Sequence, residues 1–134
     1  MKLLLDTHIL LWAITDDGRV SAQVQEMIGS SRNQIFFSLA SVWEVAIKHI
    51  AKSKAIPISE DTFVTYCVQS GYMALPIEIK HLLMLKTLRR KEDAPPHKDP
   101  FDRLLIAQAK TEGMTFVTHD KLLPDYEEPC ILLI

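Results

Sequence analysis

Short apolar runs, each too brief to be a helix, recur along this chain and are separated by longer segments with helical spacing. Lys2–Leu5, Gln34–Phe37, Tyr72–Leu75, Met114–Val117 and Ile131–Leu133 read as strands. Nearly continuous apolar strands alternating with helices are the pattern of a parallel sheet covered on both faces. With only 4 glycines, the sequence is poorly suited to a hairpin-rich all-β fold. The expected fold is therefore α/β, a three-layer α/β/α arrangement around a short central parallel sheet. At 134 residues the whole chain, 1–134, is expected to form a single domain.

Helix boundaries are marked by caps. Ile9–Trp12 reads as a short helix, and Ser21 caps a second one. Ser38 opens a longer helix in which Leu39, Val42, Trp43, Ala46, Ile47 and Ile50 form one apolar stripe, limited downstream by Pro57. Ser59 or Asp61 starts a helix that Gly71 closes, and Ile77–Leu88 is expected to form another. Arg89–Lys98 is charged and contains Pro95-Pro96, so it reads as a loop. Asp99-Pro100 then starts a helix with proline at its first position, and Gly113 ends it.

A net charge of -2 gives no global attraction for nucleic acid, so any such contact needs a local patch. Lys86, Arg89, Arg90, Lys91 and Lys98, with Lys48, Lys52 and Lys54, are candidates, and an ordinary solvated surface explains them equally well. Cys67 and Cys130 stand alone without zinc spacing, as expected in a reducing compartment. Asp6 interrupts the first apolar run too early for an export signal or a membrane span, so a cytoplasmic location is expected. No glycine-rich phosphate-binding motif is present.

The acids carry the functional signal. Asp6 follows the first strand, where a turn or cap would also explain it. Glu44 lies off the centre of the apolar stripe, and Lys48 four residues on offers a surface ion pair. Asp99 suits a helix cap, Asp102 suits the first turn near the positive end of the helix dipole, and Asp120 follows a strand. Each has a plain structural explanation. Together, however, Asp6, Glu44, Asp102 and Asp120 share one edge of a parallel sheet, where ligands bind at the carboxyl ends of strands. Carboxylates converging there repel one another unless a cation compensates, and oxygen donors favour Mg²⁺ or Mn²⁺ over zinc. Arg103, beside Asp102, could meet a phosphate or a carboxylate.

The strings Leu4-Leu5-Asp6-Thr7-His8, Ser41-Val42-Trp43-Glu44, His97–Ala109 (HKDPFDRLLIAQA) and Thr115–Asp120 (TFVTHD) together resemble PIN domains of the VapC toxin type. The resemblance spans essentially the whole chain. It implies a metal-binding quartet of Asp6, Glu44, Asp102 and Asp120, with Asp102 preferred to Asp99 because Ala107 and Ala109 follow it at the family's spacing. It assigns Asp99 to a cap or outer position, and Thr7 and Thr118 to hydroxyls near the metal. The implied activity is Mg²⁺- or Mn²⁺-dependent endoribonuclease cleavage of an RNA substrate. The implied partners are a second copy of the chain and a cognate antitoxin, with Ile9–Trp12 and Ile50–Ile58 as candidate protein-binding surfaces. His8, His97 and His119 flank the acids as supporting groups rather than bases. The alternative is a non-catalytic PIN-fold module that binds RNA or protein. A haloacid-dehalogenase-like phosphatase or a receiver domain would need acid patterns that this chain lacks.

Overall fold

A computed structural model describes residues 1–134. Five strands, β1 (Lys2–Leu5), β2 (Gln34–Ser38), β3 (Met73–Leu75), β4 (Thr115–Thr118) and β5 (Ile131–Leu133), form one sheet in the order β3-β2-β1-β4-β5. Every pairing is parallel. The helices are α1 (Thr7–Ile14), α2 (Ala22–Gly29), α3 (Leu39–Ala51), α4 (Glu60–Gln69), α5 (Ile79–Met84) and α6 (Pro100–Glu112). The α/β fold expected from the sequence is the fold observed.

The strands are apolar throughout because alternate side chains enter different cores. Leu3 and Leu5 of β1, Ile35 and Phe37 of β2 and Val117 of β4 pack with α1, α2, α3 and α4 through residues such as Leu10, Val24, Val45 and Phe63. Leu4, Phe36 and Phe116 point the other way, against Leu104, Leu105 and Ile106 of α6. The chain runs outward from β1 through β2 to β3, then returns to β4 on the other side of β1. The sheet's switch point thus lies between β1 and β4, at the carboxyl ends of both.

Most predicted boundaries hold. Ser21 and Ser59 cap α2 and α4, each accepting a backbone N–H with its hydroxyl. Gly71 and Gly113 take positive φ values of 83° and 68°, which side-chain-bearing residues adopt at a cost. The predicted Ile77–Leu88 helix is shorter. It starts at Ile79, with the Glu78 N–H donating to His81 Nδ1, and tightens after Met84 into a 3-10 turn over Leu85–Thr87. There the Thr87 hydroxyl donates to the Met84 carbonyl, one of those a helix end leaves open. A second such turn, Leu123–Tyr126, lies within the long β4–β5 connection.

The apolar stripe of α3 is only partly turned inward. The buried residues are Ala40, Ser41, Glu44 and Val45; of the stripe, Val42 and Ala46 are half-buried, with Val42 packed on the core, whereas Leu39, Trp43, Ile47 and Ile50 are exposed. At about 100° per residue the two sets lie on nearly opposite sides of the helix. Ala40 and Ser41 are small enough to let the helix lie close to the sheet.

Gln108 of α6, fully buried, ties these elements together. Its Oε1 accepts the Ser38 hydroxyl, and its Nε2 donates to the Pro76 carbonyl at 3.2 Å. Ser38 Oγ in turn accepts the Ala40 N–H at 2.9 Å and so caps α3. Gln108→Leu keeps the volume and strands those polar partners. It is expected to cost ~1–3 kcal/mol in urea denaturation, the usual penalty for leaving a buried polar group unpaired.

Candidate active site

Asp6 is the first residue beyond β1, and its N–H donates to Val117 O at 2.9 Å, extending the ladder to β4. It precedes α1, yet its side chain makes no capping bond. Instead Asp6 Oδ2 accepts the Thr118 hydroxyl at 2.6 Å, and the residue is only 4% exposed. The turn or cap explanation for Asp6 therefore fails.

Glu44 reaches the same place from α3. Lys48 Nζ donates to its Oε2 at 2.5 Å, so the i,i+4 pair exists, but Glu44 is 2% exposed and not a surface residue. Its Oε1 is buried with no hydrogen-bond partner. An unpaired carboxylate oxygen in that position costs far more than a surface pair returns.

The start of α6 divides the work between two acids. Asp99 Oδ1 accepts the N–H groups of Phe101 and Asp102, at 2.8 and 3.2 Å, and so serves as the cap. That frees the Asp102 side chain, whose Oδ2 lies 3.2 Å from His97 Nε2. His97 Nδ1 is 2.8 Å from the Tyr126 hydroxyl. Burial first, then the Arg90 charge, lower the His97 pKa, favouring the neutral ring. Nε2–H donating to Asp102, with Nδ1 accepting from Tyr126, then satisfies all three groups. Asp120 follows β4, its N–H donating to Thr118 Oγ1 at 3.1 Å and its Oδ1 accepting the Leu122 N–H at 2.9 Å.

Asp6, Glu44, Asp102 and Asp120 thus share one open pocket of about 480 Å³ that has no hydrophobic lining residue. Asp99 also borders it, as do the cations Lys48 and Lys121. Burial is the main reason the Asp102 pKa is pushed up to about 8; the charges of Asp6, Asp99, Glu44 and Asp120 add to it. Burial also raises Asp6, against the lowering effect of Thr118. Burial disfavours the Lys48 charge, yet the Glu44 hydrogen bond and the nearby acids raise its pKa overall. Crowded carboxyl groups that burial and mutual repulsion drive toward protonation, with one orphaned carboxylate oxygen among them, are what a divalent cation would satisfy, so the donor set fits a hard ion such as Mg²⁺ or Mn²⁺.

His97, Asp102 and Asp120 also place ligand-type atoms within 4.8 Å of one another. Glu78, His81 and Glu112 do the same elsewhere, but their chemistry differs. His81 Nδ1 accepts the Glu78 N–H, so Nε2 holds the ring proton and faces Glu112 at 3.5 Å. The Lys80 ammonium lies 3.0 Å from that same Glu112 oxygen and already supplies the positive charge.

Other expected residues have different roles. Thr118 touches Asp6, but Thr7 is buried against Ser41, with the two hydroxyl oxygens 2.8 Å apart. Arg103 makes no ion pair with a carboxylate; it donates to Leu85 O and approaches the Tyr126 hydroxyl. Arg90 is a structural clasp, donating to Leu122 O at 2.8 Å and Pro95 O at 2.6 Å. Tyr126 and Lys121 were not singled out from the sequence, because their roles depend on the β4–β5 connection folding back over the start of α6.

The PIN-domain family model matches residues 3–129. This chain belongs to the PIN-domain family. No curated protein matches it. Among solved structures, this PIN domain resembles VapBC2 from Rickettsia felis bound to a DNA fragment from its promoter, with TM-score 0.70 and 18% identity over 100% of this chain and 98% of the other. It also resembles DNA-bound VapBC from Salmonella typhimurium, with TM-score 0.65 and 17% identity over 100% and 97% of the two chains. FitAcB from Neisseria gonorrhoeae gives TM-score 0.60 and 14% identity over 97% and 96%. At these identities the likeness establishes the PIN fold.

The raised Asp102 pKa makes a signed prediction. A folded-state value near 8 against an ordinary 3.8 means the metal-free fold is favoured while Asp102 keeps its proton. That contribution is fully present below 3.8 and is lost as pH rises through about 8. The Tm of metal-free protein should therefore fall between pH 5 and pH 8 by more in the native chain than in Asp102→Asn, which mimics the protonated acid. Added Mn²⁺ should raise the native Tm more at pH 8 than at pH 5. Parallel pH profiles for the two proteins would contradict the assignment of the strain to Asp102.

Proposed function

We propose that this PIN domain is a metal-dependent endoribonuclease and the toxin of a toxin–antitoxin pair, acting in the cytoplasm. The observation that carries the reading is the buried Glu44, with an unpartnered oxygen, facing the same pocket as Asp6, Asp102 and Asp120. The PIN family match and the resemblance to VapC-type toxins support nuclease chemistry.

Asp6, Glu44, Asp102 and Asp120 would hold Mg²⁺ or Mn²⁺. When bound, such an ion would supply charge neutralisation for a phosphodiester and a lowered pKa for a water near it. The protein's part is to hold its carboxylates still. Thr118 fixes Oδ2 of Asp6, while His97 with Tyr126 behind it fixes Oδ2 of Asp102. Asp99 takes the capping duty that would otherwise compete for Asp102. Lys48 and Lys121, on the pocket wall, offer positive charge to an RNA phosphate that the acids alone would repel.

The test is cleavage of a panel of structured RNAs with Mg²⁺ or Mn²⁺. Chelation should abolish cleavage, and Asp102→Asn should lower it by more than ~100-fold, beyond the 10–100-fold typical for residues that merely support a ligand. Equal cleavage by both proteins would show that another nuclease or another acid is responsible. No cleavage by the native protein, together with RNA binding, would favour a non-catalytic module.

The antitoxin partner is supported by the fold's likeness to chains in VapBC structures. Of the surfaces expected from the sequence to bind proteins, Ile9–Trp12 is mostly core, with Ile9, Leu10 and Leu11 buried, whereas Ile50–Ile58 is exposed apart from Ile56 and the half-buried Ile58. A homodimer is better served by the outward face of α3, where Ile50 is 85% exposed, and by Ile79, Leu82 and Leu83 of α5. Light scattering should show a dimer that Ile50→Glu with Leu83→Glu converts to a monomer. A native chain that stays monomeric at high concentration would eliminate the dimer.

A further inference from the structure

The acidic pocket has no hydrophobic lining residue, so it can grip a phosphate through a cation but offers a nucleobase no apolar wall. A second pocket of about 240 Å³ adjoins it, with Ile9, Trp12, Val20, Val24 and Ile134 as its apolar lining. The two share His119, whose ring is part of both walls. Trp12 meets that ring edge to face at 4.5 Å between centroids, and His8, which also lines the acidic pocket, lies 6.1 Å from Trp12. An apolar pocket therefore opens one residue from Asp120.

We propose that this pocket binds a nucleobase of the RNA adjacent to the scissile phosphate, with Trp12 as its stacking platform and Arg19 as its polar rim. The inference rests on the ribonuclease reading and adds to it a place for the base.

The features of the pocket suit a flat heteroaromatic ring better than a peptide side chain. The Arg19 guanidinium lies 5.0 Å from the Trp12 ring centroid, so that face of the indole already carries a planar cation of the kind that also stacks on bases. Asp17 holds the guanidinium by bonds of 3.0 Å to Nε and 2.7 Å to a terminal nitrogen. Arg19 is exposed, so the guanidinium can shift to admit a base or cover its other face. Ser21 adds a hydroxyl at the wall while its oxygen caps α2. Apolar walls with a few polar groups are typical of small-ligand sites, and bases in single-stranded RNA are held by stacking on aromatic rings. Lys121, which lines the acidic pocket, supplies charge for the connecting backbone.

The chain has 2 tryptophans, so Trp43→Phe leaves Trp12 as the only indole reporter. Emission from Trp12 should be quenched by 5′-mononucleotides and by a single-stranded oligoribonucleotide, and not by ribose 5-phosphate at the same concentration. In the otherwise native chain, Trp12→Ala should raise KM for RNA about 5- to 100-fold, the range expected for losing one stacked base. Trp12→Phe should recover most of that loss, and Mn²⁺ affinity should be unchanged in both variants. Cleavage of RNA without quenching by any nucleotide would overturn the base pocket and leave the nuclease reading standing. Quenching by nucleotides in a protein that cleaves no RNA would support the pocket while the nuclease reading falls. Quenching by an apolar peptide and not by nucleotides would assign the pocket to a protein partner and overturn the proposal.

Discussion

The hydrogen bond from the Thr118 hydroxyl to Asp6 Oδ2 joins residues 112 positions apart and depends on the register of two central strands. Leu5 lies opposite Val117 in the β1–β4 ladder, and the Asp6 N–H continues the pairing to Val117 O. Moving that register by one residue would turn Leu3, Leu4 and Leu5 toward the wrong cores. Hydrophobic packing thereby fixes the spot where the first acid meets the hydroxyl at the end of β4. Asp120 sits two residues on, tethered through its N–H to the same Thr118 oxygen. One threonine consequently sets the spacing of two carboxylates from different strands.

Around this pair the structure tolerates an electrostatic conflict. Asp6 and Glu44 are buried, and Asp102 is held where burial first, and then the neighbouring acids, favour its proton. Lys48 offsets part of the charge on Glu44, but it reaches only one of the two oxygens. A folded domain relaxes such conflict by protonation or by a counterion, and it retains one where the site needs the charge. The neighbouring polar groups have separate partners. His97 and Tyr126 support Asp102, Asp99 takes over the cap, and Arg103 donates to the Leu85 carbonyl. The run His97–Arg103 can be understood as one unit in which each polar side chain has a separate duty.

The strands and most caps were legible because their causes are local. Alternation into two cores produces short apolar runs, and serine, proline and glycine mark helix ends by mechanisms that need few neighbours. The acids were legible as a group, since the ends of parallel strands converge whatever the loops do. The orientation of α3 was not. Hydrophobic spacing drew Leu39, Val42, Trp43, Ala46, Ile47 and Ile50 into one stripe, of which only Val42 and Ala46 are half-buried while the other four are exposed. Nor could the sequence place the Arg103 side chain, because the Tyr126 that it approaches arrives from a 3-10 turn far along the chain.

The orientation of α3 connects the site to the proposed assembly. A helix has a limited circumference, and burying Glu44 beside Ala40, Ser41 and Val45 turns the larger apolar side chains outward. Trp43 is partly covered by Phe101, an edge-to-face contact at 4.8 Å with the first turn of α6, which also holds Asp102. Of the rest, Val42 packs on the core, Leu39 and Ile47 are partly open to solvent, and Ile50 is almost fully so. An isolated domain gains nothing from presenting Ile47 and Ile50 to water, whereas a second protein surface laid over them would recover that burial. The same rotation that carries Glu44 inward therefore creates the surface best suited to a partner. A partner on that face would brace α3, and with it Glu44, against turning back toward the apolar-inward orientation that its hydrophobic pattern favours.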